Sequence, residues 1–287
     1  MRLPVIIVIL LLSLVAGTAQ VTVDIMLDQD QYLSDESLPV KVRITNRSGR
    51  ALKLGATEDW LNFTVENREG HNVARFGDLP VKEEFTVESS MIATRTVDIT
   101  PFFNIGLPGR YTVTAEMKIP EWNQQISSKP RNFSITQGAP LWEQIVGLPG
   151  TGTTAPELRK YVLQQANAKH LTLYARVTDE NEHKTFKLMP VGQMVSFSTP
   201  EAQVDKESNL HLLFQSGARS FVYAVVTPAG DMISRQRHDY ARTRPTLRSG
   251  DDGRIGVAGG QRFFSQNDVP LPIAAISSTN NVSAVTP

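Results

Sequence analysis

The sequence predicts an all-β protein made of two antiparallel β domains, with one short helix in the second. Apolar and polar residues alternate from Val21 to about Thr136, and turn residues separate the runs. Strand patterns return from Leu171 to Phe264, where one hairpin pattern occurs twice, 45 residues apart. Only one stretch, beginning near Thr154, has a helical period. The chain of 287 residues is long enough for two domains, each with a core of its own.

Residues 1–19 predict a secretory signal peptide. Arg2 precedes an apolar run from Val5 to Val15, and Gly17 and Ala19 would permit cleavage before Gln20. The run is about 11 to 15 residues, shorter than the roughly 20 that cross a bilayer. We therefore expect an exported protein, periplasmic or extracellular, without stable membrane insertion.

The composition limits which partners the chain can attract over long range and how its fold can be stabilised. The chain has 29 basic and 29 acidic residues, so it has no long-range attraction for nucleic acid or membranes, and a local patch would have to recruit any charged partner. It has no cysteine, so an exported domain would be stabilised by its core and not by disulfides.

The alternation in the first domain predicts strands that are buried on one face. Val21, Val23 and Ile25 alternate with polar residues, as do the apolar residues of Val40–Ile44 and Tyr111–Ala115. About seven such strands in some 115 residues are typical of a β-sandwich.

Two stretches of this domain resemble a known family. Asp30–Asn46 resembles the second and third strands of bacterial immunoglobulin-like domains, and Leu107–Val113 is similar to the G-x-Y-x-V strand of such sandwiches. The resemblance covers about residues 21–137 and implies an immunoglobulin-like sandwich over 20–137. It implies no functional site.

Glycine and proline interrupt the pattern over 138–153, which predicts a linker containing a short strand around Trp142–Val146. Thr154–Glu157 then matches a helix capping box. Leu158, Tyr161, Val162 and Gln165 follow at i, i+3, i+4 and i+7, which predicts a helix of about three turns.

The domain over 154–264 contains the repeated pattern. Pro200–Asp205 leads through a turn to Asn209–Phe214, and Pro245–Gly250 leads in the same way to Arg254–Ala258. Units of this length with four strands resemble β-propeller blades, and Ser249–Gly253 resembles the start of an Asp-box turn. The resemblance implies blade-like sheets in a small or open arrangement, or a propeller completed by another chain.

Residues 265–287 lack periodicity and predict a flexible tail.

No motif for catalysis, metal or cofactor binding is present. No two of the five histidines, at 71, 170, 183, 211 and 238, lie within six residues of each other. There is no G-x-S-x-G elbow and no phosphate-binding loop. Neighbouring carboxylates such as Glu83 and Glu84 would leave a strand on opposite faces, so only carboxylates distant in sequence could act together.

Two features are candidates for binding. Basic residues are concentrated in one stretch, where Arg235 and Arg237 would share a strand face and could bind one anionic ligand. The full set comprises Arg235, Arg237, His238, Arg242, Arg244 and Arg248. Trp60 follows a glycine-containing loop and would stack on a sugar ring if it were exposed. The alternatives are a solvated, charge-protected outer strand and a core tryptophan.

The sequence therefore favours a non-catalytic exported binding or structural protein that recognises a protein or polysaccharide, anionic if the arginines bind it. The competing hypothesis is a glycan-acting hydrolase or lyase. A close carboxylate pair lining a pocket would favour the enzyme, whereas exposed aromatic residues or arginines would favour binding. The sequence leaves homo-oligomerisation open.

Overall fold

The computed structural model describes residues 21–148 and 156–270. The predicted signal peptide and Thr154, at the start of the predicted capping box, lie outside these ranges. Strands make up 56% and helix 2% of the structure, so the prediction of an all-β protein is confirmed. The only helical elements among the described residues are two 3-10 turns, Thr100–Phe102 and Pro120–Trp122.

The described residues form 21 strands. In chain order they are β1 (Val21–Met26), β2 (Gln31–Leu33), β3 (Pro39–Asn46), β4 (Leu52–Leu54), β5 (Leu61–Asn67), β6 (Phe85–Val87), β7 (Ile92–Asp98), β8 (Gly109–Ile119), β9 (Gln124–Ser127), β10 (Arg131–Thr136), β11 (Ala139–Leu148), β12 (Glu157–Asn167), β13 (Leu171–Thr178), β14 (Thr185–Gln193), β15 (Glu201–Val204), β16 (Leu210–Gln215), β17 (Ser220–Val226), β18 (Met232–Asp239), β19 (Thr246–Ser249), β20 (Ile255–Ala258) and β21 (Gln261–Phe263).

The chain divides into two compact units. The first contains 21–28, Leu38–Asn104 and Gly109–Phe133. The second contains Gln29–Ser37, Ile105–Pro108 and the described residues from Ser134 onward. Two short segments from the first half of the sequence thus belong to the second unit.

The first unit contains two facing β-sheets. Strands β1, β3 and β7 form one antiparallel sheet, and β8 lies between β5 and β10 in the other, with β9 also paired to β8. Strand β1 lies against β8 and β9. Val40, Val42 and Ile44 are fully buried, as the alternating pattern predicts for residues on the inner face.

The second unit contains two antiparallel meanders and a hairpin. Strands β11 to β14 form the first meander, and β15 to β18, extended by β21, form the second. Leu163 and Ala175 of the first pack with Leu212 and Ala224 of the second in one core. On the other face of β16 and β17, a second core contains Leu213 and receives the β19–β20 hairpin. Strands β16 and β17 are thus buried on both faces, which explains their nearly continuous apolar sequences.

The predicted helix is wrong, because residues 157–167 form strand β12. This strand pairs with β11 on one side and β13 on the other. Tyr161 and Leu163 are buried on the core face, and Val162 and Gln164 are buried on the opposite face. A strand that is buried on both faces does not alternate between apolar and polar residues. Its adjacent apolar residues therefore also fit the i, i+3, i+4 spacing of a helix. Strand β11 occupies most of the stretch predicted as a linker.

The 45-residue repeat corresponds to two matching hairpins. In the first, Ala202 faces Leu212, and in the second, Leu247 faces Val257, which are the equivalent positions. Each hairpin contains four paired positions, and the first and last pairs are equivalent in the two hairpins. The repeated sequence pattern therefore predicted a repeated structure, with only two strands in the second copy against four in the first.

The turns of the two hairpins also match. The Asp205 N–H donates to the Asn209 carbonyl at 3.0 Å, and the Gly250 N–H donates to the Arg254 carbonyl at 2.8 Å. The fourth residue of each turn has a positive φ, 65° at Ser208 and 75° at Gly253. Glycine adopts this left-handed conformation without strain, which explains the Asp-Gly sequence of the second turn.

Residues 265–270, which the sequence assigned to a flexible tail, are packed on the second unit. Val269 exchanges two backbone hydrogen bonds of 2.9 Å with Arg235, and Asp268 is only 3% exposed. Strand β18 therefore has a neighbour at this position. The rest of the predicted tail lies outside the described residues.

Candidate functional site

The structure brings Arg235 and Arg237 together at one cleft, which we call the Arg235 cleft. Their partners across β17 are Ala224 and Val222, so both side chains leave strand β18 on the same face. The cleft has a volume of about 290 Å³ and lies between β18, the β16–β17 turn and residues 265–268. Its lining residues include Gln193, Ser216, Ser220, Arg235, Arg237 and Asn267.

Arg235 contributes a guanidinium group that no acid neutralises. Its Nε donates to the Val191 carbonyl at 3.2 Å, and its Nη1 donates to the Asn267 carbonyl at 3.0 Å. Among the residues that the structure describes, no carboxylate forms an ion pair with it. Neutral carbonyls orient the guanidinium but leave its full positive charge.

Arg237, by contrast, is already neutralised. Its Nε and Nη2 donate to the two carboxylate oxygens of Asp239 at 3.0 and 3.2 Å, a bidentate ion pair. Nη2 also donates to the Ser220 hydroxyl at 3.0 Å, and the guanidinium lies 4.5 Å from the centre of the Phe263 ring. Arg237 therefore contributes shape and polar N–H groups more than net charge.

The acidic residue lining the cleft, Asp268, is also paired. Its Oδ2 accepts from Arg262 Nη2 at 2.9 Å and from the Ser265 N–H at 3.3 Å. With Arg237 and Asp268 both compensated, the charge that remains at the cleft is the single cation of Arg235. Serine hydroxyls and the Gln193 amide supply neutral hydrogen-bonding groups around it.

His238 points to the other face of β18. It is buried, and its ring lies 6.4 Å from the Tyr223 ring in an edge-to-face arrangement. Burial lowers the pKa of His238, and the nearby Arg262 lowers it further. The histidine therefore adds no charge to the Arg235 cleft at neutral pH.

The other candidates from the basic stretch lie apart from this cleft. Arg244 is exposed and lies 5.1 Å from the centre of the Phe221 ring. Arg242 and Arg248 are exposed as well, and none of the three lines the cleft.

Trp60 belongs to the core of the first unit. It is 2% exposed, its Nε1 donates to the Val81 carbonyl at 2.7 Å, and its ring contacts Phe85 edge-on. The indole is fully satisfied inside the protein, so it cannot stack on a ligand in this conformation. The core alternative holds for this residue.

Asn267 lines the cleft and Asp239 neutralises Arg237, and neither was predicted from the sequence as a site residue. Asp239 was visible two residues after Arg237 on the same strand face, which is the signal for an ion pair. Asn267 had no such signal, because its position depends on the return of residues 265–269 to β18.

A close pair of carboxylates occurs elsewhere in the second unit. Glu143 and Glu182 both bind Lys160 Nζ, at 2.9 and 2.7 Å, so the two oxygens are at most 5.6 Å apart, the sum of these distances. A retaining glycosidase uses a comparable spacing, with one of the two acids protonated. The hydrogen bond from Lys160 lowers the pKa of Glu182, and Arg176 lowers it further, so Glu182 is ionised at neutral pH.

Asp205, His211 and Tyr223 form a buried chain of hydrogen bonds. His211 contacts Asp205 Oδ2 at 2.9 Å and the Tyr223 hydroxyl at 2.7 Å. Although burial acts to raise the pKa of Asp205, the hydrogen bonds from His211 and Asn209 lower it overall. The chain joins β16 to β17 and contains no serine or threonine nucleophile.

Within residues 21–148 and 156–270, no cluster of three or more His, Asp or Glu side chains is arranged to bind a metal. No helix in this part of the chain is long and apolar enough to cross a bilayer.

Comparison with known proteins assigns no family. No protein-family model matches the chain, and no curated protein matches it. Among solved structures it is similar to the crystal structure of Spo0M, a sporulation control protein from Bacillus subtilis. The two are 9% identical, with a TM-score of 0.28, and the match covers 60% of this chain and 89% of that chain. The likeness is distant.

Proposed function

We propose that this protein is a non-catalytic exported binding protein of the cell envelope or extracellular space, and that its Arg235 cleft binds an acidic polysaccharide. The observation that carries the proposal is that the Arg235 guanidinium, held by two backbone carbonyls in a polar cleft, forms no ion pair with any residue that the structure describes. A carboxylate, sulfate or phosphate group would complete its hydrogen bonding and neutralise its charge.

The surroundings of the cleft favour a sugar polymer over an isolated anion. Phe263 is 49% exposed beside Arg237, and Phe264 is 69% exposed beside Arg262. Exposed aromatic rings next to cations offer flat apolar surfaces on which sugar rings can stack. Ser216 and Ser220 supply hydroxyls for neutral groups of the same ligand.

The finer fold resemblances belong to this proposal. Two facing sheets in the first unit support an immunoglobulin-like sandwich, and successive four-stranded meanders in the second support blade-like sheets. Such folds have many functions, so the function is argued from the cleft. The exported location follows from residues 1–19, and a mature N-terminus near Gln20, measured by mass spectrometry, tests it.

A glycan-acting enzyme is the second candidate, because Glu143 and Glu182 lie close together and both line one cleft. Lys160 bridges both carboxylates, and its hydrogen bond lowers the pKa of Glu182, whereas a general acid needs a raised one. Binding is therefore the function that the geometry supports better.

Isothermal titration with polygalacturonate as the acidic probe tests the proposal. Arg235→Gln should weaken binding at least about tenfold, since a desolvated charge-assisted hydrogen bond contributes about 1.5–3 kcal/mol. Arg248→Gln is the matched control, because it removes the same charge from an exposed position outside the cleft. Equal losses in the two variants, or no binding by the wild type, would contradict the proposal.

A further inference from the structure

A second cleft lies on the outer face of the β11–β14 sheet, which we call the Gln164 cleft. It has a volume of about 320 Å³, at the lower end of the range for small-molecule sites. Its polar lining includes Ser34, Thr136, Gln137, Glu143, Gln164 and Glu182. Leu33 and Val162 also border the cleft, but they are only 2% and 4% exposed, so the accessible wall is mainly polar.

Gln164 is the unusual residue of this cleft. It is only 7% exposed, yet its side-chain amide makes no hydrogen bond to any residue that the structure describes. The polar atoms of the amide remain accessible from the cleft and are not enclosed by the protein. The amide presents one acceptor and two donor hydrogens at the cleft wall.

Gly138 permits this position of Gln164. A Cβ at residue 138 would lie 2.8 Å from Gln164 Cδ and 3.0 Å from its Oε1. Any larger residue would displace the amide. The backbone and the side chain are thus fitted together in a way that leaves the amide unpaired.

The charged groups at the Gln164 cleft are balanced. Lys160 binds both Glu143 and Glu182, and Arg176 also binds Glu182, so two cations match two anions. A site without net charge does not attract a free ion. Each carboxylate still has lone pairs that can accept hydrogen bonds from hydroxyl groups.

These features together select a neutral ligand that is rich in hydroxyl groups, as a sugar is. Its hydroxyls would donate to the carboxylates and pair with the Gln164 amide. An extended peptide would need a longer groove with backbone partners. We propose that the Gln164 cleft binds an uncharged sugar residue, at a site separate from the Arg235 cleft.

The test uses neutral disaccharides of glucose, galactose, mannose and N-acetylglucosamine, with binding to the full chain followed by saturation-transfer NMR and titration calorimetry. We expect at least one to bind, and Gln164→Leu to weaken it at least tenfold by removing the amide at nearly constant volume. Gln165→Leu is the matched control on the opposite face of β12, and its affinity should stay within twofold of the wild type.

Glu143→Gln provides a second variant if Gln164→Leu fails to fold, since Glu143 is exposed and its loss should weaken sugar binding at least threefold. Absence of binding by every disaccharide, or equal affinity in wild type and both cleft variants, would overturn the proposal. Gln164-dependent binding of neutral blocked tripeptides without sugar binding would also overturn it. Loss of polygalacturonate binding bears only on the Arg235 cleft, so the two proposals fail separately.

Discussion

The two clefts of the second unit differ in charge balance more than in the number of charged residues. The Gln164 cleft is bordered by four charges, but Lys160 and Arg176 neutralise Glu143 and Glu182. The Arg235 cleft has ion pairs as well, and one guanidinium is left over. The comparison teaches that pairing decides which charges a ligand meets. A count of arginines or glutamates in the sequence does not measure this.

The largest expected difference between the two clefts is in how strongly salt weakens the affinity for their ligands. Raising salt from about 0.1 to 1 M shortens the Debye length from about 10 to 3 Å. Polygalacturonate affinity should fall about tenfold or more, whereas disaccharide affinity at the Gln164 cleft should change less than twofold. Calorimetric titration at four salt concentrations measures both. If the two affinities fall in parallel, the contrast in charge balance is wrong.

Freeing Arg237 should make the Arg235 cleft more strongly cationic. Asp239→Asn removes the bidentate carboxylate and leaves Arg237 free to bind the ligand. The Arg237 side chain is 42% exposed, so solvent screening limits the gain to about 1 kcal/mol, or roughly fivefold in affinity. Titration calorimetry with polygalacturonate measures it.

Asp231→Asn is the matched control for this gain. It makes the same charge change in the turn between β17 and β18, where Asp231 is exposed and, among the described residues, forms no ion pair. An equal gain in the two variants would mean that net charge acts at long range. Reduced affinity in Asp239→Asn would mean that Asp239 orients Arg237 for binding.

Much of the fold could be predicted from the sequence, since alternation and turn residues report burial directly. The matching hairpins show this best, because a fixed period of 45 residues predicted two equivalent pairs of strands, and the structure gives them equivalent registers. The failure at β12 has a physical cause. Val162 and Gln164 are buried against neighbours that only the tertiary structure supplies, so the local pattern contained no information about the second face.

The candidate site was predictable in part for the same reason. Arg235 and Arg237 are two apart on one strand, so their common face follows from local geometry. Both stay positively charged, but Asp239 neutralises Arg237, whereas carbonyls of Val191 and Asn267 orient Arg235. Val191 and Asn267 belong to chain segments that are distant in sequence. Gln164 had no sequence signal, since the lack of a hydrogen-bond partner for its amide among the described residues is a property of the folded chain.

The smallest expected effect is a pH dependence of the free energy of unfolding, which arises from one buried ionisable group near each cleft. His238 lies behind the Arg235 cleft, and Glu36 accepts a 2.7 Å hydrogen bond from the N–H of Leu33, which lines the Gln164 cleft. Burial lowers the pKa of His238 and raises the pKa of Glu36, the latter despite hydrogen bonds from Leu33 and Gln29. Both groups therefore favour their neutral forms in the folded protein.

The two groups make the free energy of unfolding change with pH in opposite directions. The folded protein binds a proton at His238 less readily than the unfolded chain, so this contribution is present above pH 6.5 and is lost as the pH falls through the folded pKa. At Glu36 the folded protein binds the proton more readily. That contribution is present below pH 4.5 and is lost as the pH rises through the folded pKa.

Urea denaturation between pH 4 and 8 measures both contributions as differences in the free energy of unfolding. His238→Gln should remove a component that rises with pH up to 6.5, and Glu36→Gln should remove one that falls with pH from 4.5 upward. His71→Gln, at an exposed position, controls for the loss of a histidine. If His238→Gln leaves the pH profile parallel to that of the wild type, burial does not lower the pKa of His238 in the folded protein.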